Sequence, residues 1–456
     1  MTHATDLASR WLGGSVVAVS DESFGEKENL LNPAPAAFEP GHYGNRGEIV
    51  DGWETRRRRE PGHDWAIIRL GAPGVITSID IDTSFFTGNF PEAASVEAGG
   101  WEGYPSPAEL AGAVGWEQIV PLSKLFGDSH NVFTVASARR FTHVRVLAHP
   151  DGGIARLRVL GRVVPDPREL DGLTIDLASQ RHGGVVVESS DEFYTSASQL
   201  NRPDQARTMG EGWETQRRRG PGNDYVIFRL AFPGVVRRVV IDTAHFKYNA
   251  SAAVMLRGRA EGPYPPAGAE GSFLPGAEGS FPRDAVGSVP PGAEGSFPPG
   301  AVGSFLPGAE GSVPPSAFAA ARAEGRFPAA DPPGWLAVLG RTRLQPDTRH
   351  VFASQCAEPV SAVRLDAFPD GGLSRVRLLG NVTAEARRAA GYLWFNSLPA
   401  PQAVGCLIGA GIQAEVAAEI TRQRPLRQGQ VAGLRSVSQE SGAAGILTGL
   451  LEGGAR

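Results

Sequence analysis

The sequence predicts an all-β protein: a tandem pair of jelly-roll-like antiparallel β-sandwich domains, with a low-complexity insertion in the second domain and a short helical C-terminal tail. Three observations predict it. The 456-residue chain writes one long pattern twice. Within each copy, short Val- and Ile-rich runs are punctuated by Pro-Gly, Asp-Gly-Gly and Gly-Asn, with no helical period of useful length between them. After residue 382 the composition turns to Ala, Leu and Glu, with apolar residues near helical spacing.

The duplication can be followed block by block. GGSVVAVSDESF (13–24) recurs as GGVVVESSDEFY (183–194), and DGWETRRRREPGHDW (51–65) as EGWETQRRRGPGNDY (211–225). WAIIRLGAPGVITSIDIDTSFF (65–86) returns as YVIFRLAFPGVVRRVVIDTAHF (225–246), and VRVLAHPDGGIARLRVLG (144–161) as VRLDAFPDGGLSRVRLLG (363–380). Thirteen of twenty positions are identical between 51–70 and 211–230, too many and too collinear for chance. The first repeat is expected at 10–165 and the second at 180–382. VVAV, AIIRL, ITSIDI and RLRVL read as strands of a sandwich or jelly roll. PDGG at 150–153 and 369–372 reads as a hairpin turn, because glycine tolerates the positive φ of tight turns.

The second copy is interrupted. From Gly268, octads of the type GAEGSFLP restart at Gly276, Gly292, Gly300 and Gly308. Such a segment has too few large apolar residues to offset its ordering entropy, so 260–330 is expected to be a disordered insertion in a surface loop. Residues 383–456 form the expected helical tail.

Composition narrows the function. Hydrophobic residues at 41% and charged residues at 20% suit a soluble globular protein too long for one ordinary domain. The 58 Gly and 36 Pro reflect the octads. A formal charge of −5 argues against a nucleic-acid binder, which needs a basic surplus. Only Cys356 and Cys406 occur, which offers neither a disulfide framework nor a zinc pattern. No signal-peptide pattern opens the chain and no stretch approaches the roughly 20 apolar residues that span a bilayer, so the expected location is the cytoplasm.

The candidate chemistry lies in the repeated polar positions. Arg56, Arg57, Arg58 and Arg59 are matched by Gln216, Arg217, Arg218 and Arg219. Arginines packed this densely repel one another and need a reason. A guanidinium fork suits bidentate capture of a carboxylate; the plainer alternative is pairing with Glu54, Glu60 and Asp64 on a solvated edge. The acids Glu54/Glu214, Asp64/Asp224 and Asp82/Asp242 recur at matched places. In IDIDT the two-residue period puts Ile79 and Ile81 on one face and Asp80 and Asp82 on the other. Asp82 is therefore expected outside the core, either solvated or entering a polar cleft beside Thr83 and Asn89. His63, His130, His245 and His350 form no metal-ligand spacing, and no phosphate loop, dinucleotide fingerprint or nucleophile elbow is present.

GWETRRRR, PGHDWAIIRLG and IDTSFFTGNFPE in the first copy, with GWETQRRRGPGND, IDTAHFK and LQPDTRHVF in the second, resemble the allantoicase family over about 13–260 and 334–396. The resemblance implies tandem jelly rolls that hydrolyse allantoate to ureidoglycolate and urea, in purine degradation by way of urate and allantoin. Allantoate is a carboxylate whose α carbon bears two ureido groups. Its site needs a guanidinium for the carboxylate, carboxylates or amides for the ureido N–H groups, and an acid and a base for urea release. Glu54, His63, Asp64 and Asp82, with Glu214, Asp224, Asp242 and His245, are the candidate catalytic groups. Arg56, Arg57, Arg58, Arg59, Thr83 and Asn89, with Arg217, Arg218, Lys247 and His350, are the candidate substrate contacts. No cofactor or metal is expected; the expected partner is the small-molecule substrate, with no nucleic acid or membrane, and assembly into a homo-oligomer stays open. A rival class, a non-catalytic jelly-roll binding module for carbohydrates or other small molecules, would show exposed aromatics on its loops, whereas the repeated loop positions here are Arg, Asp and Glu. The second copy departs from the family at KYNASAA, placing Tyr248, Ala250 and Ser251 where a Gly-Asn pair with Pro and an acid is usual. Tyr248→Gly with Ser251→Pro is expected to restore that site. LWFNSLPAPQAVGCLIGAG in the tail faintly resembles the start of the ureidoimidazoline decarboxylase family, but that family's His-Pro motif is missing after it and no activity is expected of it.

Overall fold

The computed structural model describes residues 4–260, 334–431 and 442–453; beyond Ala260, the insertion expected at 260–330 lies outside the described residues. The first repeat is built from β1 (Thr5–Asp6), β2 (Ser15–Val19), β3 (Tyr43–Gly44), β4 (Gly47–Glu48), β5 (Trp53–Glu54), β6 (Asp64–Asp82), β7 (Ala93–Gly99), β8 (Glu117–Lys124), β9 (His130–Thr134), β10 (Arg140–His149), β11 (Gly153–Ile154) and β12 (Arg156–Val163), with one short helix, α1 (Pro107–Ala111). The second contains β13 (Ile175–Asp176), β14 (Val185–Ser189), β15 (Trp213–Glu214), β16 (Asp224–Asp242), β17 (Ala253–Arg259), β18 (Trp335–Arg343), β19 (Arg349–Ala353), β20 (Val360–Phe368), β21 (Gly372–Leu373) and β22 (Arg375–Val382). Both sheets follow one path: β1-β12-β6-β10-β7-β8 with β2 and β9 also on β6, and β13-β22-β16-β20-β17-β18 with β14 and β19 also on β16. The strands β1 and β13 precede the starts expected at 10 and 180.

The 19-residue strands β6 and β16 organise their repeats. AIIRL and ITSIDI, read above as separate runs, are two halves of β6. Residues 64–69 pair with β10 and, over 66–69, with β2; residues 74–82 pair with β12, and residues 78–82 pair on their other side with β9. The crossing falls at Gly-Ala-Pro-Gly (71–74), where proline cannot donate to a ladder and the strand passes from one layer to the other. The same arrangement explains PDGG. β10 and β12 both pair with β6 and not with each other, so 150–153 is a crossing at the sandwich end and the hairpin reading is corrected; 369–372 plays the same part between β20 and β22.

Each sandwich has its own core. Ile68, Leu70, Ile79, Ile81, Val96, Val144, Val146 and Val159 fill the first, and Phe228, Leu230, Val239, Ile241, Leu256, Leu365 and Leu378 the second. Trp53 and Trp213 are wholly buried at matched places, and each indole N–H donates to a backbone carbonyl, of Asp21 (2.7 Å) and Asp191 (2.9 Å). Burial of rings this size, by comparison with large-to-small substitutions worth about 3–5 kcal/mol, anchors the segment that follows each tryptophan.

The tail is helical, as α2 (Ala384–Ser397), α3 (Ala400–Gly409), α4 (Ala414–Arg422) and α5 (Ala443–Glu452). The Thr383 hydroxyl caps α2 by accepting from Ala386 N (3.1 Å). Trp394, Phe395, Leu407, Ile420, Leu447 and Leu451 form a third apolar cluster, joined by Val164 from the segment between the repeats. Arg387 pairs with Asp171 (2.6 Å) and Gln402 Nε2 donates to Glu102 (2.6 Å), which ties the tail to that connecting segment and to the first repeat. Among the described residues, no helix is long and apolar enough to cross a membrane.

Candidate active site

At one end of each sandwich, three chain segments are stapled together by the crossing turn. In the first repeat, Asp151 accepts from Arg58 N (2.8 Å), Gly152 N donates to Thr55 Oγ1 (3.1 Å), and Gly153 N donates to Asn89 O (2.7 Å). In the second, Asp370 accepts from Arg218 N (2.9 Å) and Gly371 N donates to Thr215 Oγ1 (2.7 Å). A side chain at Gly153 would sit 2.0 Å from Phe86, and one at Gly372 would sit 1.9 Å from the Asn249 carbonyl, so only glycine lets the turn approach this closely.

The arginine block divides by burial. Arg58 turns inward to Asp64 (2.9 Å), whose carboxylate also accepts from Ser20 Oγ (2.9 Å). Arg218 makes the matching pair with Asp224, which also takes Ser190 Oγ (3.0 Å) and Thr215 Oγ1 (2.7 Å). The aspartates are almost wholly buried, so these two arginines brace the loop. Arg56 lies against Asp21 (3.3 Å). Arg57, Arg59, Arg217 and Arg219 are exposed and their side chains have no partner among the described residues, and the same holds for Lys247. The pairing reading thus applies to Arg56, Arg58 and Arg218, and leaves Arg57, Arg59, Arg217 and Arg219 without an internal partner among the described residues.

Three residues before the free Arg57, Glu54 accepts from Asn89 Nδ2 at 2.7 Å, and Glu214 accepts from Asn249 Nδ2 at 2.6 Å. Burial pushes the Glu54 carboxyl above its ordinary pKa, against the opposing effect of the Asn89 hydrogen bond. Asn249 was missing from the candidates, although aligning TGNFPEA with KYNASAA through the repeat places it opposite Asn89. The same alignment misjudged Ser251. It is buried, its hydroxyl donates to Asp370 O (2.8 Å) and its amide to Gly372 O (3.2 Å), so proline there would remove a bond that holds the turn. Tyr248 projects into solvent.

The remaining candidates support the loops. Asp82 is 4% exposed, which corrects the solvated placement: its carboxylate accepts from Ser84 N (2.8 Å) and Ser84 Oγ (2.6 Å) and closes the turn after β6. Asp242 does the same for Ala244 N (2.8 Å). Thr83 is wholly buried, and its hydroxyl donates within reach of the Phe126 and Ser129 carbonyls (2.6 and 3.0 Å). His63 is tilted against His149, ring centres 4.7 Å apart. His245 Nε2 meets Ala206 O at 2.9 Å. Phe85 and His245 share the left-handed conformation, φ 68° and 72°, and each amide is held by an aspartate, Asp128 (2.8 Å) or Asp347 (2.7 Å). Such backbone costs about 1–3 kcal/mol and persists only where surrounding contacts impose it.

His350 accepts from Gln345 N at Nε2 (2.8 Å) and donates from Nδ1 to Ile241 O (3.2 Å). Asn131 makes the matching bonds in the first repeat, to Phe126 N (2.9 Å) and Ile81 O (3.1 Å). His350→Asn should therefore leave stability within about 1 kcal/mol and kcat for the urea release that the resemblance implies within about twofold. A tenfold or larger loss of kcat with an unchanged thermal midpoint would move His350 into contact with substrate.

Aromatic side chains are exposed near the same loops, among them Phe24, Phe85, Phe193, Tyr194 and Tyr248. Only Phe24 and Tyr194 stand at matched places; Phe193 faces Ser23, Phe85 faces His245 and Gly88 faces Tyr248. No group of three or more His, Cys, Asp or Glu side chains among the described residues could hold a metal ion. Two copies of one sandwich, each closing a carboxylate–asparagine pair beside outward-facing arginines, define a tandem jelly-roll protein with a doubled polar site. The allantoicase repeat family matches residues 5–164, 175–270 and 310–383. The chain belongs to the allantoicase family. It is 42% identical over 383 residues to a "Probable allantoicase" of Nocardia farcinica, covering 84% of this chain and 95% of that protein. A "Probable allantoicase" of Streptomyces coelicolor is 40% identical over 403 residues, covering 85% and 89%. The crystal structure of allantoicase from Saccharomyces cerevisiae superposes with a TM-score of 0.59 at 28% identity, covering 83% of this chain and 93% of that one.

Proposed function

We propose that this chain hydrolyses allantoate to ureidoglycolate and urea, with Glu54, Glu214 or both moving the proton and Arg57 and Arg217 receiving the substrate carboxylate. The observation that carries the assignment is the Glu54–Asn89 pair, in which a half-buried carboxyl is held three residues from an arginine free of internal partners. In the reaction, the hydroxyl of water joins the α carbon as one C–N bond breaks, and the departing nitrogen takes a proton to leave as urea. A carboxyl whose pKa is raised by burial holds that proton closer to neutrality than a solvated one does. Asn89 fixes the carboxyl and has a carbonyl oxygen left to accept a ureido N–H. Arg58 and Arg218 shape the loop by pairing with Asp64 and Asp224, so the exposed neighbours supply the guanidinium. Cytoplasmic residence is part of the same proposal, supported by two cysteines that are both free.

Purified protein incubated with allantoate tests the reaction, with urea and ureidoglycolate expected in equal amounts. Binding without urea release by folded protein would return the chain to the class of non-catalytic modules. Arg57→Lys and Arg217→Lys test the carboxylate contact: each keeps the charge and loses the planar fork, so the variant in a working repeat should raise KM about tenfold or more. Full affinity in both Lys variants and in their combination would make the exposed arginines bystanders.

A further inference from the structure

The two repeats face each other across a cleft of about 700 Å³, a size that suits a small-molecule ligand, and none of the candidate site residues lines it. Asp6, Trp11 and Arg158 of the first repeat and Glu188, Glu192 and Arg202 of the second contribute to its walls. Trp11 also lines an adjoining cleft of about 450 Å³ with Arg207. The guanidinium carbons of Arg202 and Arg207 lie 4.5 and 5.1 Å from the Trp11 ring centre, at cation–π distance.

The charges of the larger cleft are not equally satisfied. Asp6 accepts the amides of Ala8 (3.2 Å) and Val159 (3.1 Å), and Glu192 accepts Ser189 Oγ (3.1 Å) and Ala197 N (3.0 Å). Arg158 donates to Asn32 O (2.6 Å), and in the adjoining cleft Arg207 pairs with Glu211 (2.6 Å). The Arg202 guanidinium, half-buried over Trp11, makes no hydrogen bond or ion pair with any described residue. A guanidinium withdrawn from water and left with free N–H donors is a site waiting for an anion.

We propose that this cleft is a second ligand site, for a small carboxylate that also carries amide-type N–H groups. The Arg202 fork takes the carboxylate bidentately. The carboxylate oxygens of Asp6 and Glu192 have lone pairs beyond those already used, and they accept the ligand's N–H groups. Three acids in the same walls repel polyphosphates and other polyanions, which limits the ligand to one carboxylate. The ligand shares the chemical class of the substrate proposed above, but the site uses none of the residues assigned to turnover.

Calorimetric titration of the full chain with N-carbamoylglycine, a stable carboxylate with one ureido group, tests this. The wild type should show one class of sites that Arg202→Gln lacks and that Arg202→Lys, which keeps the charge over Trp11, binds about tenfold more weakly. Acetate and urea, the two halves of the probe, should bind there far more weakly than the whole. Urea release by Arg202→Gln should stay within about twofold of wild type, because the residue lies outside the catalytic loops. Equal site numbers and affinities in wild type and Arg202→Gln would overturn the proposal, as would acetate binding as tightly as the probe. The readout is binding, so failure to turn over allantoate would leave it standing.

Discussion

Replacing Glu54 and Glu214 together by glutamine lowers kcat for urea release by about 10²–10⁴, the range over which a positioned acid or base contributes. The amide keeps an oxygen for Asn89 and Asn249 to donate to, so the loops hold their shape and the loss reports the missing proton. The single variants then apportion the activity: whichever repeat works is the one whose glutamine variant carries the loss. The pH profile adds a sign. Burial raises the Glu54 pKa, so a rate that needs its protonated form is full below that value and falls as pH rises through it. Glu54→Gln should lose this alkaline limb along with its rate. A double variant that retains more than a tenth of wild-type kcat would remove both glutamates from the chemistry.

Asp224→Ala costs about 3–5 kcal/mol of stability, the toll of leaving a largely buried cation without its partner. The carboxylate is 1% exposed, and both oxygens are engaged: Oδ1 by Ser190 and Arg218, and Oδ2 by Thr215. Asp64→Ala should cost about 1 kcal/mol less, because Asp64 Oδ2 is already buried without a partner and the substitution forfeits one hydrogen bond fewer. Guanidinium unfolding of the two variants measures both numbers. A loss under 1 kcal/mol for Asp224→Ala would mean that Arg218 is not held by this pair, and it would return to the list of guanidinium groups open to substrate.

The relation between the repeats also bears on how the site is used. Each repeat builds its own loop cluster from its own residues, with the same staples at Asp151 and Asp370 and the same paired carboxyls. The copies differ where the chain was free to differ. Arg156 fastens the loop before Trp53 through Asp51 (2.6 Å) and the matching Arg375 fastens its counterpart through Asp204 (2.9 Å), but the first copy also carries the β3–β4 hairpin there, with Arg46 Nη1 on Glu22 O (3.0 Å), and the second-repeat loop is shorter. The two glutamates therefore work, if both do, under different covers, and the single-variant comparison is the measurement that separates them.

By itself, the sequence determined what depends on local pattern. The collinear blocks established two copies of one unit, the Val and Ile runs between turn residues established β structure, and the Ala-rich end established helices, because identity and periodicity act over a few residues. It also singled out GWET and the arginines, because they are written twice. Tertiary structure alone decided what each of those side chains does. AIIRL and ITSIDI became one strand because β10 and β12, far apart in the chain, claim its two halves. Arg58 left the set of free arginines because folding brings Asp151 to its amide across 93 positions of sequence and Asp64 to its guanidinium. Asp82, outward by alternation, became buried because the strand ends there and the chain turns back over it. Asn249 gained its role only when the turn at Gly372 pressed its loop against Glu214. A charged group exposed on a strand and one consumed by a distant partner carry the same letter; the difference is a desolvation and pairing energy that exists only once the partner has arrived.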